Sequence, residues 1–295
     1  MQGPDGNLWV SDSGGGLTAK VWKVTTGGVG TSYFTFTSPS ALNRAIASNG
    51  VDLWVADFRN HMIKVTTAGV VTSYNLITFL APYTISGGSD GNIYMCEGLI
   101  DYIWKIDVST GLPYYYIKLP GATSIRDICS GPDGNLWIAG GSDGNVWKVN
   151  IVTGVPTSYA LGGIVYGICS HTDGNLWAAN SDGNVWKITT AGATTSYPTG
   201  QFPRGICSHT DGNLWVTGAT DKVMKVTTAG AVTVYTLTGA NVNDTLNICS
   251  GPDGNLWVND FSGKVWKVTT SGVGTSYTLI MDTVIKVSGK YDTYS

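Results

Sequence analysis

The chain has 295 residues, of which 13% are charged, and a formal net charge of −3. That charge density is about half the ~25% of an average soluble protein, and its slightly acidic sign excludes a general grip on nucleic acid through phosphate neutralisation. No apolar run reaches the ~20 residues that span a bilayer, so membrane insertion is not expected. The first residues carry no basic-then-apolar leader, so synthesis in the cytoplasm without a signal peptide is expected.

The chain opens on Gly3-Pro4-Asp5-Gly6-Asn7-Leu8-Trp9-Val10. Degraded copies follow at Val51-Asp52-Leu53-Trp54 and Asp90-Gly91-Asn92-Ile93-Tyr94. Closer ones run at 131–138, 173–177, 211–215 and 251–258. The aromatic anchor thus falls at Trp9, Trp54, Tyr94, Trp137, Trp177, Trp215 and Trp257, seven units with a period of about 41 residues, inside the range of propeller blades.

Residues 203–238 show one unit in full. Gly205-Ile206-Cys207-Ser208 is extended, and His209-Thr210-Asp211-Gly212 is a turn in which Asp-Gly supplies the positive φ. Asn213 to Val216, Lys222 to Thr227 and Ala231 to Leu237 are three further strands. Four short antiparallel strands in about 40 residues make a propeller blade, and no stretch keeps a helical period. The predicted fold is all-β: a single seven-bladed β-propeller over 1–295, with four antiparallel strands per blade.

The other positions recur too. Strand three carries Trp22, Trp104, Trp147, Trp186 and Trp266. Strand four carries Tyr33, Tyr74, Tyr116, Tyr159, Tyr197, Tyr235 and Tyr277. An aromatic repeated in every blade reads as packing between neighbouring blades rather than as a binding surface. Cys129, Cys169, Cys207 and Cys249 occupy one place in successive strand-one segments, and Cys96 stands apart. Positions related by rotation about a ring do not meet the ~7 Å Cα limit of a disulfide, so these are read as buried free thiols. No CxxC pair suggests zinc.

Units two to seven begin with an innermost strand, whereas only Met1-Gln2 precede Gly3 in unit one. Near the other end, Asp282-Thr283-Val284-Ile285-Lys286-Val287-Ser288-Gly289 resembles the missing strand. Residues 283–288 are therefore expected to pair beside strand two of unit one, closing the ring and removing both open edges.

Gly-Pro-Asp-Gly-Asn-Leu-Trp followed by Lys-Val-Thr-Thr-x-Gly, with Pro203-Arg204-Gly205-Ile206 ahead of it, resembles the streptogramin B (virginiamycin B) lyase family, and more loosely the NHL-repeat propellers. The resemblance covers the whole chain and implies seven blades. It also implies an elimination chemistry that uses magnesium, histidines at the strand-one starts and a Glu ending strand two. Here the strand-one starts hold Arg44, Tyr83, Arg126, Tyr166, Arg204 and Leu246, none of them histidine. The Glu position holds Asp12, Asp57, Glu97, Gly140, Asn180, Gly218 and Asp260. Of these only Glu97 matches the family. His171 and His209 replace the first Gly of the Asp-Gly turn, on the opposite face, and His61 lies in the loop leading into strand three. All three are read as solvated turn residues.

Strand-one starts and strand-two ends should meet around the channel mouth, where propellers place ligands. The candidate binding residues are Arg44, Tyr83, Arg126, Tyr166, Arg204, Asp12, Asp57, Glu97 and Asp260. They make an acidic arc from four consecutive blades and an Arg/Tyr arc. Pairing of arginines with carboxylates across the mouth is the structural reading. Cation, sugar or peptide binding is the functional one. Glu97 and Asp57 are the weak candidates for a metal, and no catalytic residue is assigned. The expected function is a non-enzymatic binding or interaction module without a cofactor. Its partner would be another protein or a glycan at the mouth, and it would serve as a subunit of a larger assembly such as a virion or surface structure. The alternatives are a lyase, which alone would require magnesium, and a carbohydrate-binding propeller.

Overall fold

The computed structural model describes residues 1–12, 19–36, 43–57, 60–76, 82–98, 101–219, 221–240, 247–259, 264–278 and 285–286, without the side chains of 34–36, 44 and 285–286. Every element is a strand, and the strands form seven four-stranded antiparallel sheets. Blade six comprises Pro203–Ser208, Leu214–Gly218, Lys222–Val226 and Val232–Thr236, within a residue or two of the expected strands. Inner strands of successive blades pack on one another around the ring.

Each blade is built on one anchored aromatic. The indole of Trp215 is fully buried and stacks on Tyr235 with centroids 5.6 Å apart. Its Nε1 donates to Asp211 Oδ2 at 3.2 Å, four residues back in the Asp-Gly turn. The same oxygen takes Lys225 Nζ at 3.1 Å, and that ammonium lies over the Trp215 ring. A buried indole N–H is costly unless bonded, and the turn aspartate answers it locally. Gly212, at φ +76°, makes the turn tight enough to bring Asp211 there.

Blades are joined by the strand-four tyrosines. Tyr197 of blade five lies against Gly230 in the next blade's outer turn, where an added Cβ would stand 2.0 Å from its ring. That turn also needs φ +87°. The contact recurs between Tyr277 and Gly28, so blade seven grips blade one as the others grip their neighbours.

Closure is composite. Ile285–Lys286 pairs antiparallel with Ser11 and Asp12, as expected from sequence; 283–284 and 287–288 lie outside the described residues. The lower half of the inner position is not empty, however. Met1 O accepts Trp9 N–H at 2.9 Å, and Gln2 bridges to Leu8. Both ends of the chain thus share one strand position beside Leu8–Asp12.

Blade three breaks the strand-four series. The pairing of Tyr102–Ile106 with Pro113–Lys118 shifts between Lys105 and Ile106. Ile117, not Tyr116, takes the buried place opposite Ile103, and Tyr116 is 53% exposed. Blade two breaks the anchor instead. Gly50 replaces the turn aspartate, and the buried Trp54 Nε1 has no hydrogen-bond partner among the described residues. Trp137→Phe should therefore cost about 1–2 kcal/mol more than Trp54→Phe, because only the first gives up a bond, the 3.1 Å link to Asp133. Denaturant melts of the two variants decide it; equal losses would mean that the indole bond contributes nothing.

Candidate functional site

Strand-one starts do face strand-two ends. Asn43 pairs with Asp57, Pro82 with Glu97, Val165 with Asn180 and Pro203 with Gly218. The expected rim residues therefore gather at one end of the blades. Asp260 lies outside the described residues, as does the side chain of Arg44, whose backbone belongs to the inner strand Asn43–Ser48.

The three described carboxylates are not openly displayed. Asp12, Asp57 and Glu97 are 1%, 0% and 3% exposed. Each is met by a donor from strand three of its own blade. Trp22 Nε1 donates to Asp12 Oδ2 at 3.4 Å, Trp104 Nε1 donates to Glu97 Oε1, and His61 Nδ1 stands 3.2 Å from Asp57 Oδ2. Where strand two ends in Gly140 or Asn180, the strand-three indole finds another carboxylate: Trp147 donates to Asp143 at 2.8 Å and Trp186 to Asp182 at 3.1 Å. Blade six has neither partner, with Met224 beside Gly218. In blades one, three, four and five a carboxylate thus accompanies the indole and satisfies its N–H; blade two, with Ile63 in the indole's place, turns Asp57 to His61 instead. In those four blades the pattern is present in the repeats, but only a comparison of two columns at once reveals it.

Burial pushes the Glu97 carboxyl up to about 7, against the partial opposition of the Trp104 N–H. A half-neutral, sealed carboxyl is a poor ligand for a hard dication, which prefers several ionised oxygens. Among the described residues no three His, Cys, Asp or Glu side chains gather as a metal site. The described residues do not fit a magnesium ion.

The other arc is more open. Arg126 Nη1 donates to Tyr83 Oη at 3.3 Å. The Arg126 and Arg204 guanidinium carbons lie 5.9 and 4.1 Å from the Tyr166 ring centroid. Tyr83, Arg126, Tyr166 and Arg204 thus form a ladder across blades three to six, all four half-buried. Two non-glycine residues have positive φ among those described: Ser124 at 55°, two residues before Arg126, and Asn60 at 67°, beside His61. Such conformations cost ~1–3 kcal/mol and persist only where surroundings impose them.

The histidines are not solvated turn residues. His171 and His209 are 5% and 3% exposed, and their Nδ1 atoms accept the backbone N–H of Asp173 and Asp211 at 3.1 Å. Their rings stand edge-on to Trp177 and Trp215, at the position held by Gly3, Gly88, Gly131 and Gly251 in four of the other turns. His61 is the first residue of strand three, in register with Asp57, and so belongs to the mouth. The reading from sequence placed it in a loop because the strand's alternation begins only at Met62. All five cysteines are free, as expected.

The sequence matches the virginiamycin B lyase family over residues 1–198 and 124–287. The chain belongs to the virginiamycin B lyase family. No curated protein matches it. Similar solved structures include a streptogramin B lyase, 21% identical with a TM-score of 0.73, covering 80% of this chain and 83% of that one. Virginiamycin B lyase from Staphylococcus aureus has the same identity and TM-score, covering 82% and 88%. A functionally unknown protein from Desulfotomaculum acetoxidans is 14% identical with a TM-score of 0.75, covering 97% and 100%. At these identities the likeness is one of fold.

Proposed function

We propose that this family member is a non-enzymatic binding module that takes another protein or a glycan at its channel mouth. The observation that carries the proposal is the engagement of Asp12, Asp57 and Glu97 by their own strand-three donors. A general base must reach a substrate proton, and these carboxylates are sealed within the blades. The half-buried Arg/Tyr ladder supplies flat, polar faces instead, of the kind that anchor ligands at recognition surfaces. Backbone strain beside Arg126 supports a site held in place for use. Incorporation into a larger virion or surface assembly belongs to the same reading, supported by outer strands rich in exposed Thr and Ser.

The lyase reading retains one supporting observation, the His61–Asp57 pair at the mouth. A histidine-to-alanine variant of the Staphylococcus aureus lyase, solved with quinupristin, is described as catalytically inactive. In this chain the described strand-one starts hold arginine and tyrosine. Incubation with quinupristin and magnesium, followed by mass analysis, is expected to return the intact ring. A ring-opened product that disappears in His61→Ala would replace the binding proposal with the lyase.

A further inference from the structure

The outer edge of blade three departs from the repeat in a way the fold does not require. Opposite the strand-three residue, five other blades place a serine: Ser32, Ser73, Ser158, Ser196 and Ser276. Blade six has Val234 there. Blade three alone places an aromatic, Tyr116, opposite Trp104. Tyr114, Tyr115 and Tyr116 are 57%, 49% and 53% exposed, while the other exposed large apolar residues among those described are scattered valines and Phe202.

The rings are arranged, not merely adjacent. Tyr116 meets Tyr102 edge-on, with centroids 5.1 Å apart at 85°. It meets Trp104 at 5.3 Å and 49°. Rings at these angles make a corner whose walls are aromatic faces and whose rim carries phenol hydroxyls. The nearest charges are engaged: Glu97 is buried and takes the Trp104 N–H, and Lys118 lies over Tyr102 and stands 3.9 Å from Asp101. No excess charge calls for an ionic ligand, and a purely apolar partner would strand the hydroxyls without hydrogen bonds. A neutral sugar satisfies both demands, its C–H face on a ring and its hydroxyls on the phenol oxygens, Lys118 and Asp101.

We propose that Tyr102, Trp104 and Tyr116 form a second binding site, separate from the mouth, for the neutral hexose units of a glycan. Tyr116→Ser restores the residue of the other blades and so should fold unchanged. The full chain is to be titrated by tryptophan fluorescence with neutral gluco-, manno- and N-acetylglucosamine oligosaccharides. At least one should bind, and Tyr116→Ser should weaken it roughly tenfold or more at an unaltered melting temperature. The mouth variant Tyr166→Ser should leave that affinity unchanged, which separates this site from the mouth. Silence across all three sugar series overturns the proposal, as does binding that survives Tyr116→Ser or is lost in Tyr166→Ser. Capture of a protein that Tyr116→Ser abolishes, with no sugar bound, also overturns it.

Discussion

Acidification below about pH 4 is expected to lower the melting temperature steeply, with most of the loss complete by about pH 2. The cause lies in the turn aspartates. Burial raises the carboxyls of Asp5, Asp133, Asp173 and Asp211, but hydrogen bonds from Lys23, Lys148, Lys187 and Lys225, from the anchor indoles and from nearby backbone or side-chain groups outweigh it. Each is held down at about 2. Asp90 and Asp253 are lowered by the same kind of partners. A depressed folded pKa contributes stability that is present above the unfolded value and lost as pH falls through the folded one. These groups are partly solvated, so each contributes about 1 kcal/mol, or about 4 kcal/mol for the four held near 2. For a domain of this size that is a fall of about 10 °C. Glu97 acts in the opposite sense. Its raised pKa contributes stability below the unfolded value that is lost as pH rises through about 7. The profile should therefore rise slightly from pH 8 towards pH 5 before it collapses. Calorimetry from pH 8 to pH 2.5 tests both limbs. Glu97→Gln should remove the gentle rise, and Asp211→Asn should make the collapse shallower. A melting temperature level down to pH 2.5 would show that the Asp–Lys–Trp anchors do not hold the blades.

The ring itself was legible because its signal is repeated seven times. Trp9 and its counterparts mark the period, and the Asp-Gly turns fix where strands one and two reverse. That Arg204 lies near Gly218 and Tyr83 near Glu97, each one residue past the paired Pro203 and Pro82, followed from that alone. What the repeat concealed were its exceptions. Pro113-Tyr114-Tyr115-Tyr116-Ile117 offers three tyrosines to one position, and a shifted pairing decides for none of them. The meaning of Asp12 and Glu97 depends on Trp22 and Trp104, which lie ten and seven residues further on and meet them only across a hairpin. The burial of His171 and His209 was hidden by their place in a turn, where polarity normally signals exposure. At the mouth, the order Arg-Tyr-Arg around Tyr166 comes from three different blades, so no local window contains it.

The largest mechanical effect should come from the seam between blades seven and one. Among the described residues, an apolar cluster of Leu8, Val10, Trp22 and Val24 with Trp257 and Val265 fills it, and three further connections cross or complete it: Ile285–Lys286 on Ser11 and Asp12, Tyr277 against Gly28, and Lys267 Nζ donating to Thr26 O at 3.2 Å. Deleting everything after Met281 removes only the first, and Met1-Gln2 still cover the lower half of that edge. Its melting temperature should drop by several degrees, with some aggregation through the bared edge at Ser11 and Asp12. Gly28→Val attacks the second. A Cβ there would stand 2.3 Å from the Tyr277 ring, at a φ of +84° that valine tolerates poorly, and the loss should be about 3 kcal/mol. Either change alone leaves the other latch holding the blades together. Both at once leave the lysine contact and the apolar cluster of Leu8, Val10, Trp22 and Val24 with Trp257 and Val265, so the combined loss should exceed the sum of the two, and the melt should broaden. Gly230→Val, at an interior seam, supplies the control: combined with the same deletion it should be additive. If the Gly28→Val pair is additive as well, the two latches do not share a load, and the ring is not held shut at this seam.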